Sequence, residues 1–142
     1  MISARCRRWT GEPERESPKL LHGPVAAELG RRELGVEDEE VLEAVRVHTV
    51  GERGMGPLAL ALYVADKIEP ARGYPSVGRI RELARRDLRE AASESLRRVI
   101  AHNEGRGRPV HPASRAMLEW LEETEGAAHR GVQQVDLPPR EA

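Results

Sequence analysis

Apolar residues recur along this chain at intervals of three and four, and each such run is set off from the next by a proline, a glycine or a small polar residue. From Pro24, the residues Val25, Ala26 and Leu29 repeat at helical spacing with Arg31, Arg32 and Glu33 on the other side, and Gly35 is placed for a left-handed helix end. Asp38 is an N-cap for a second run, in which Val41, Leu42, Val45 and His48 fall on one buried stripe. A loop holding Gly51, Gly54 and Gly56 interrupts the pattern. Pro57 then opens LALALYVA, the most apolar run of the chain, which ends in Asp66 and is stopped by Glu69-Pro70. After a turn at residues 71–75, Ser76 is placed to cap a helix carrying Val77, Ile80, Leu83 and Ala84 on one face. A further helix near residues 89–102 carries Ala92, Leu96, Val99 and Ile100. Pro112 opens the last helix, with Met117, Leu118 and Leu121 inward and Trp120 at an edge. No stretch alternates with period two for long enough to read as a strand, so the predicted class is all-α.

The two ends lack this period. Residues 1–19 are Arg-rich and broken by Pro13 and Pro18, which predicts an irregular N-terminal segment. Residues 126–142 carry two prolines and little apolar content, which predicts a disordered tail. A length of 142 residues suits one domain, placed at residues 20–125. The formal net charge of -1, from 23 basic and 24 acidic residues, gives no global case for nucleic-acid binding. With no Phe and only Trp9, Tyr63, Tyr74 and Trp120 as aromatics, base-stacking platforms are not expected either. Cys6 is alone, which excludes an intrachain disulfide or a thiolate zinc cluster. No stretch reaches the roughly 18 apolar residues of a membrane span, and the N-terminus has no apolar segment of a signal peptide. A soluble cytoplasmic protein is the expectation.

Three residues stand out by their surroundings: His22, His48 and Asp66, each at a helix end or on an apolar face and each from a different helical segment. Burying an unpaired carboxylate costs about 3–5 kcal/mol, so Asp66 needs a cation, backbone donors or a metal. Imidazole and carboxylate together suit iron, manganese or zinc. The plainer reading keeps the histidines as hydrogen-bonded core residues and pairs Asp66 with Arg72. The glycine loop GERGMG matches neither a dinucleotide fingerprint nor a P-loop, and it reads either as a helix connection or as a loop whose Arg53 clamps a phosphate.

LLHGPVAA, VRVHTVG and YVADKIEPAR with the following YPSV, then HPAS before the last helix, resemble the C-terminal part of the YqeK-type HD-domain phosphohydrolases from about Leu20 to Leu121. That resemblance implies an all-α HD-domain helical bundle and a di-metal centre, with iron foremost. It implies symmetrical cleavage of diadenosine tetraphosphate, a dinucleoside polyphosphate, to two ADP. Carried over, His22, His48 and Asp66 fall on metal ligands. Arg53, Lys67, Glu69 and Arg72 fall in the substrate-facing region, although Glu52 stands where the family usually has arginine. The family pattern also has an earlier histidine and a His-Asp dipeptide, and this sequence has neither. The resemblance thus predicts a bundle lacking its N-terminal helices and an incomplete metal centre. Whether the chain acts as an enzyme stays open. The activity is expected to be impaired or absent, and the alternative is a non-catalytic remnant that binds nucleotide or protein. Uncovered apolar faces on the helices opened by Pro24 and Pro57 predict self-association.

Overall fold

A computed structural model describes residues 18–132, with side chains described through Thr124. The readings made for residues 1–17 and 133–142 lie outside this range. A single 3-10 turn, Pro18–Leu21, leads without a break into the first of six α-helices among the described residues. These are α1 (His22–Glu33), α2 (Glu39–Val47), α3 (Pro57–Ile68), α4 (Val77–Arg86), α5 (Leu88–Glu104) and α6 (Pro112–Val132). None of them is long and apolar enough to cross a membrane.

The helix ends follow from local chemistry. Asp38 accepts from the backbone N–H groups of Glu40 and Val41, as its position predicted. Gly35 ends α1 with φ +65°, where a β-carbon would be strained. Asp87 alone separates α4 from α5: it takes an extended conformation and its carboxylate accepts from Arg89 and Glu90 N–H. The hydroxyl of Ser76 makes no cap at α4, contrary to expectation; only its carbonyl serves the helix, accepting from Ile80 N–H.

α3 is the centre of the bundle and packs against α2, α4 and α5, while α6 packs on α5. Its buried residues Ala59, Leu60, Tyr63 and Val64 join Ala44 and Val47 of α2, Ile80 and Leu83 of α4, Ala91, Ala92, Leu96 and Ile100 of α5, and Met117 and Leu121 of α6 in one core. The density of such contacts on α3 explains why the least polar run of the sequence lies there.

Three expectations are corrected. The face of α1 expected to point inward points outward: Val25 is 50% and Leu29 48% exposed, and Ala26 is also exposed, whereas Gly23, Pro24 and Ala27 are buried. The reason is close approach, because a β-carbon on Gly23 would lie 2.7 Å from the carbonyl oxygen of Arg46. Small residues, not the large aliphatics, let α1 lie against α2. On α2 the stripe is likewise rotated: Leu42, Ala44 and Val47 are buried and Val41 is 38% exposed. Finally, α6 continues through Gly126 to Val132, so the tail does not begin at 126; no proline occurs there to stop it and alanine and arginine favour its continuation.

Candidate metal centre

His22 is the first residue of α1 and His48 follows the last residue of α2. Gly23 brings these two helix ends together, since a side chain there would collide with the carbonyls of Arg46 and Val45. The two imidazoles meet edge to face, with Nε2 of His22 3.0 Å from Nε2 of His48. Each ring is anchored through its other nitrogen, His22 Nδ1 at 2.6 Å from Lys19 O and His48 Nδ1 at 2.6 Å from Val45 O.

That anchoring decides the chemistry. A carbonyl oxygen only accepts, so both Nδ1 atoms carry hydrogen and each ring, when neutral, presents a lone pair at Nε2. Two lone pairs facing at 3.0 Å repel unless a proton or a cation lies between them. Backbone-oriented imidazoles with free Nε2 atoms are what a metal-ligating pair requires. Thr49 completes the group: its hydroxyl lies 3.0 Å from His22 Nε2 and 3.5 Å from His48 Nε2, placed to donate to either. His22 is exposed and His48 half-buried, so the pair opens to solvent.

Asp66 is half-buried near the C-terminal end of α3. Burial is the largest single influence on its carboxyl and pushes its pKa up. The hydrogen bond from Lys67, the charge of Lys67, and then the charges of His48 and Arg72 together outweigh burial and hold it below the ordinary carboxylate value. Lys67 Nζ lies 2.8 Å from Oδ2 and Arg72 Nη2 lies 3.8 Å from Oδ1. The pairing with Arg72 that the plainer reading named is thus present, joined by Lys67. Among the described residues no three His, Cys, Asp or Glu side chains converge on a metal-ion site: the two histidines meet, and Asp66 pairs with Lys67 and Arg72.

Of the residues expected to face substrate, Lys67 and Arg72 contact Asp66, and Glu69 contacts Arg72. Lys67 also lies over the Tyr63 ring at 4.6 Å and donates to His48 O at 3.4 Å. Glu69 accepts from Ala71 N–H at 2.8 Å and pairs with Arg72 at 3.3 Å. Arg53 is not in this group: it is exposed and pairs with Glu123 of α6 at 2.6 Å. Glu52 instead pairs with Arg46 at 2.9 Å. The sequence reading missed Gly23, Thr49 and Arg81. The first two are direct neighbours of the histidines, a signal that was available; Arg81 is one of many arginines on α4 and carries none.

Comparison with known proteins finds two kinds of relative. The chain is 42% identical over 105 residues to a symmetrical bis(5'-nucleosyl)-tetraphosphatase of Bacillus subtilis, covering 74% of this chain and 56% of that protein. It is 40% identical over 103 residues to the protein of the same description from Halalkalibacterium halodurans, covering 72% and 55%. Among solved structures, a predicted HD superfamily hydrolase involved in NAD metabolism from Clostridium acetobutylicum superposes with a TM-score of 0.78 at 31% identity, over 80% of this chain and 60% of that one. No family model matches the chain. The all-α bundle therefore carries an HD-superfamily fold. Over the matched stretch the chain is similar to proteins described as symmetrical bis(5'-nucleosyl)-tetraphosphatases, and it spans a little over half the length of the curated relatives it matches.

Proposed function

We propose that the chain is a metal-dependent phosphohydrolase of the HD type acting on diadenosine tetraphosphate, cleaving it symmetrically to two ADP. The single observation that supports this most is the pair of Nε2 lone pairs meeting at 3.0 Å with both Nδ1 atoms tied to carbonyls. A divalent cation held there, iron in this reading, would supply a Lewis acid for phosphoryl oxygen and a more acidic attacking water. His22 and His48 would hold it, with Asp66 as the third donor once Lys67 and Arg72 turn to substrate.

The chain's own residues would do the rest. Lys67 and Arg72 are cations that a polyphosphate can recruit from Asp66, exchanging one anion for another. Glu69 steers Arg72 by pairing with it. Arg53 would join only by leaving Glu123, which an exposed pair permits at little cost. Three donors are too few for two tightly held cations, so turnover should be low. The second reading, a nucleotide-binding protein without catalysis, draws on that same shortage.

The test is incubation of the purified chain with Fe2+ and diadenosine tetraphosphate, with separation of the nucleotides. ADP as the sole product supports the proposal. AMP and ATP in equal amounts refute the symmetrical cut, and tight binding with no product favours the second reading.

A further inference from the structure

The polar turn that carries Glu69 and Arg72 is held from behind by a residue that touches none of the side chains discussed so far as ligands. Arg81, half-buried on α4, sends its guanidinium back to the end of α3. Its Nε donates to Ile68 O at 3.0 Å, and its Nη2 donates to Glu69 O at 2.9 Å and to Arg72 O at 3.2 Å. Ile68 O closes α3, and a helix leaves its last C=O groups without intrahelical partners; Glu69 O also accepts from Arg72 N–H, so Arg81 adds a second donor to the same turn. Tyr74 covers the neighbouring one, its hydroxyl donating to Lys67 O at 2.7 Å, and Arg98 of α5 lies 3.5 Å over the Tyr74 ring. Lys67, Glu69 and Arg72 are therefore each held through a backbone carbonyl, Lys67 by Tyr74 and the other two by Arg81.

We propose that Arg81 is a positioning residue for the substrate. By clasping three carbonyls of one turn it sets where the Arg72 side chain presents its charge to the phosphate chain. This inference rests on the proposed polyphosphate function. Arginine is needed because its planar fork serves three acceptors at once, whereas lysine keeps the favourable charge at a helix C-terminus but cannot span them. A merely structural cation would be replaced by lysine without effect on binding.

The measurement is the affinity of the 142-residue chain, with Mn2+ present, for a non-hydrolysable methylene-bridged analogue of diadenosine tetraphosphate. It is made alongside the melting temperature and the amide exchange rate of Arg72, whose N–H bonds Glu69 O at 2.9 Å. Arg81→Lys should melt close to the unmodified chain, exchange faster at Arg72, and bind the analogue roughly 10- to 100-fold more weakly, the scale of a misplaced supporting contact. Arg81→Ala should lose as much affinity and more stability. If the unmodified chain binds the analogue and Arg81→Lys binds it equally well, the positioning role is overturned and the proposed function stands. If the unmodified chain does not bind it, the proposed function fails and takes this inference with it.

Discussion

Two imidazole Nε2 atoms meeting at 3.0 Å are the most demanding feature at the scale of single residues. Their ring orientation is already set by Lys19 and Val45 carbonyls, so a cation arriving there finds donors that need little rearrangement. Replacing His22 or His48 by Ala leaves one imidazole, and either change should lower Co2+ affinity about 100-fold or more, beyond the 10- to 100-fold typical of losing an outer contact. Equilibrium titration followed by the cobalt absorption bands checks this; unchanged affinity in both variants would return the pair to the role of core histidines. Asp66→Asn in the same titration separates a ligand from a partner of Lys67 and Arg72, because a loss of affinity marks the former and no change the latter. The same variant has a pH signature. The native carboxyl is held below its ordinary value, so its stabilising effect is present above the ordinary carboxylate pKa and is lost as pH falls through the lowered one. Melting temperature measured against pH should therefore fall less steeply on the acid side in Asp66→Asn than in the unmodified chain.

At the scale of elements, the site depends on how closely α1 approaches α2. A β-carbon at Gly23 would meet Arg46 O at 2.7 Å and Val45 O at 3.0 Å, both backbone atoms that cannot swing aside. Val45 O is also the acceptor that orients His48. Gly23→Ala should destabilise the chain by about 1–3 kcal/mol, as overpacking does, and should weaken cobalt binding by parting the histidines. Denaturant melts and the cobalt titration read the two effects, and Gly54→Ala is the control: its φ of +76° brings strain but nothing lies within 4 Å, so binding should survive. Helix order, the stops at Gly35 and Glu69-Pro70, and the central place of α3 were legible because caps and apolar runs act locally. The outward face of α1 was not, because a three-to-four period finds an apolar stripe without saying whether anything covers it. His22 and His48 could be paired from the quoted segments, whereas the hold of Lys67 and Arg72 on Asp66 needed distances. Arg53 shows the limit most plainly: its neighbours in sequence gave no sign that Glu123, seventy residues on, would take its charge.

The whole molecule is lopsided. The large exposed aliphatics are Val25, Leu29 and Leu34 on and just after α1, Val41 on α2 and Leu58 on α3; among the described residues none falls on α4, α5 or α6. The bundle is thus closed on the side of α5 and bare around its first three helices, the side expected to be uncovered. Whether that surface joins two copies is a question of magnitudes. Fully burying one such side chain is worth about 1.5–3 kcal/mol, and residues already half-buried would give roughly half of that. The five from each of two copies together contribute on the order of 10 kcal/mol, which does not clearly exceed an association cost of about 4–15 kcal/mol. Self-association should therefore be weak and should grow with concentration instead of yielding a fixed dimer. Sedimentation velocity across a concentration series should show a rising weight-average coefficient for the unmodified chain, and Leu29→Glu should abolish the rise while leaving helical content unchanged, since Leu29 adds nothing to the core. A flat profile for the unmodified chain would mean that these five exposed aliphatics do not repay the lost freedom, and a tight dimer would mean that the contact surface extends well beyond them.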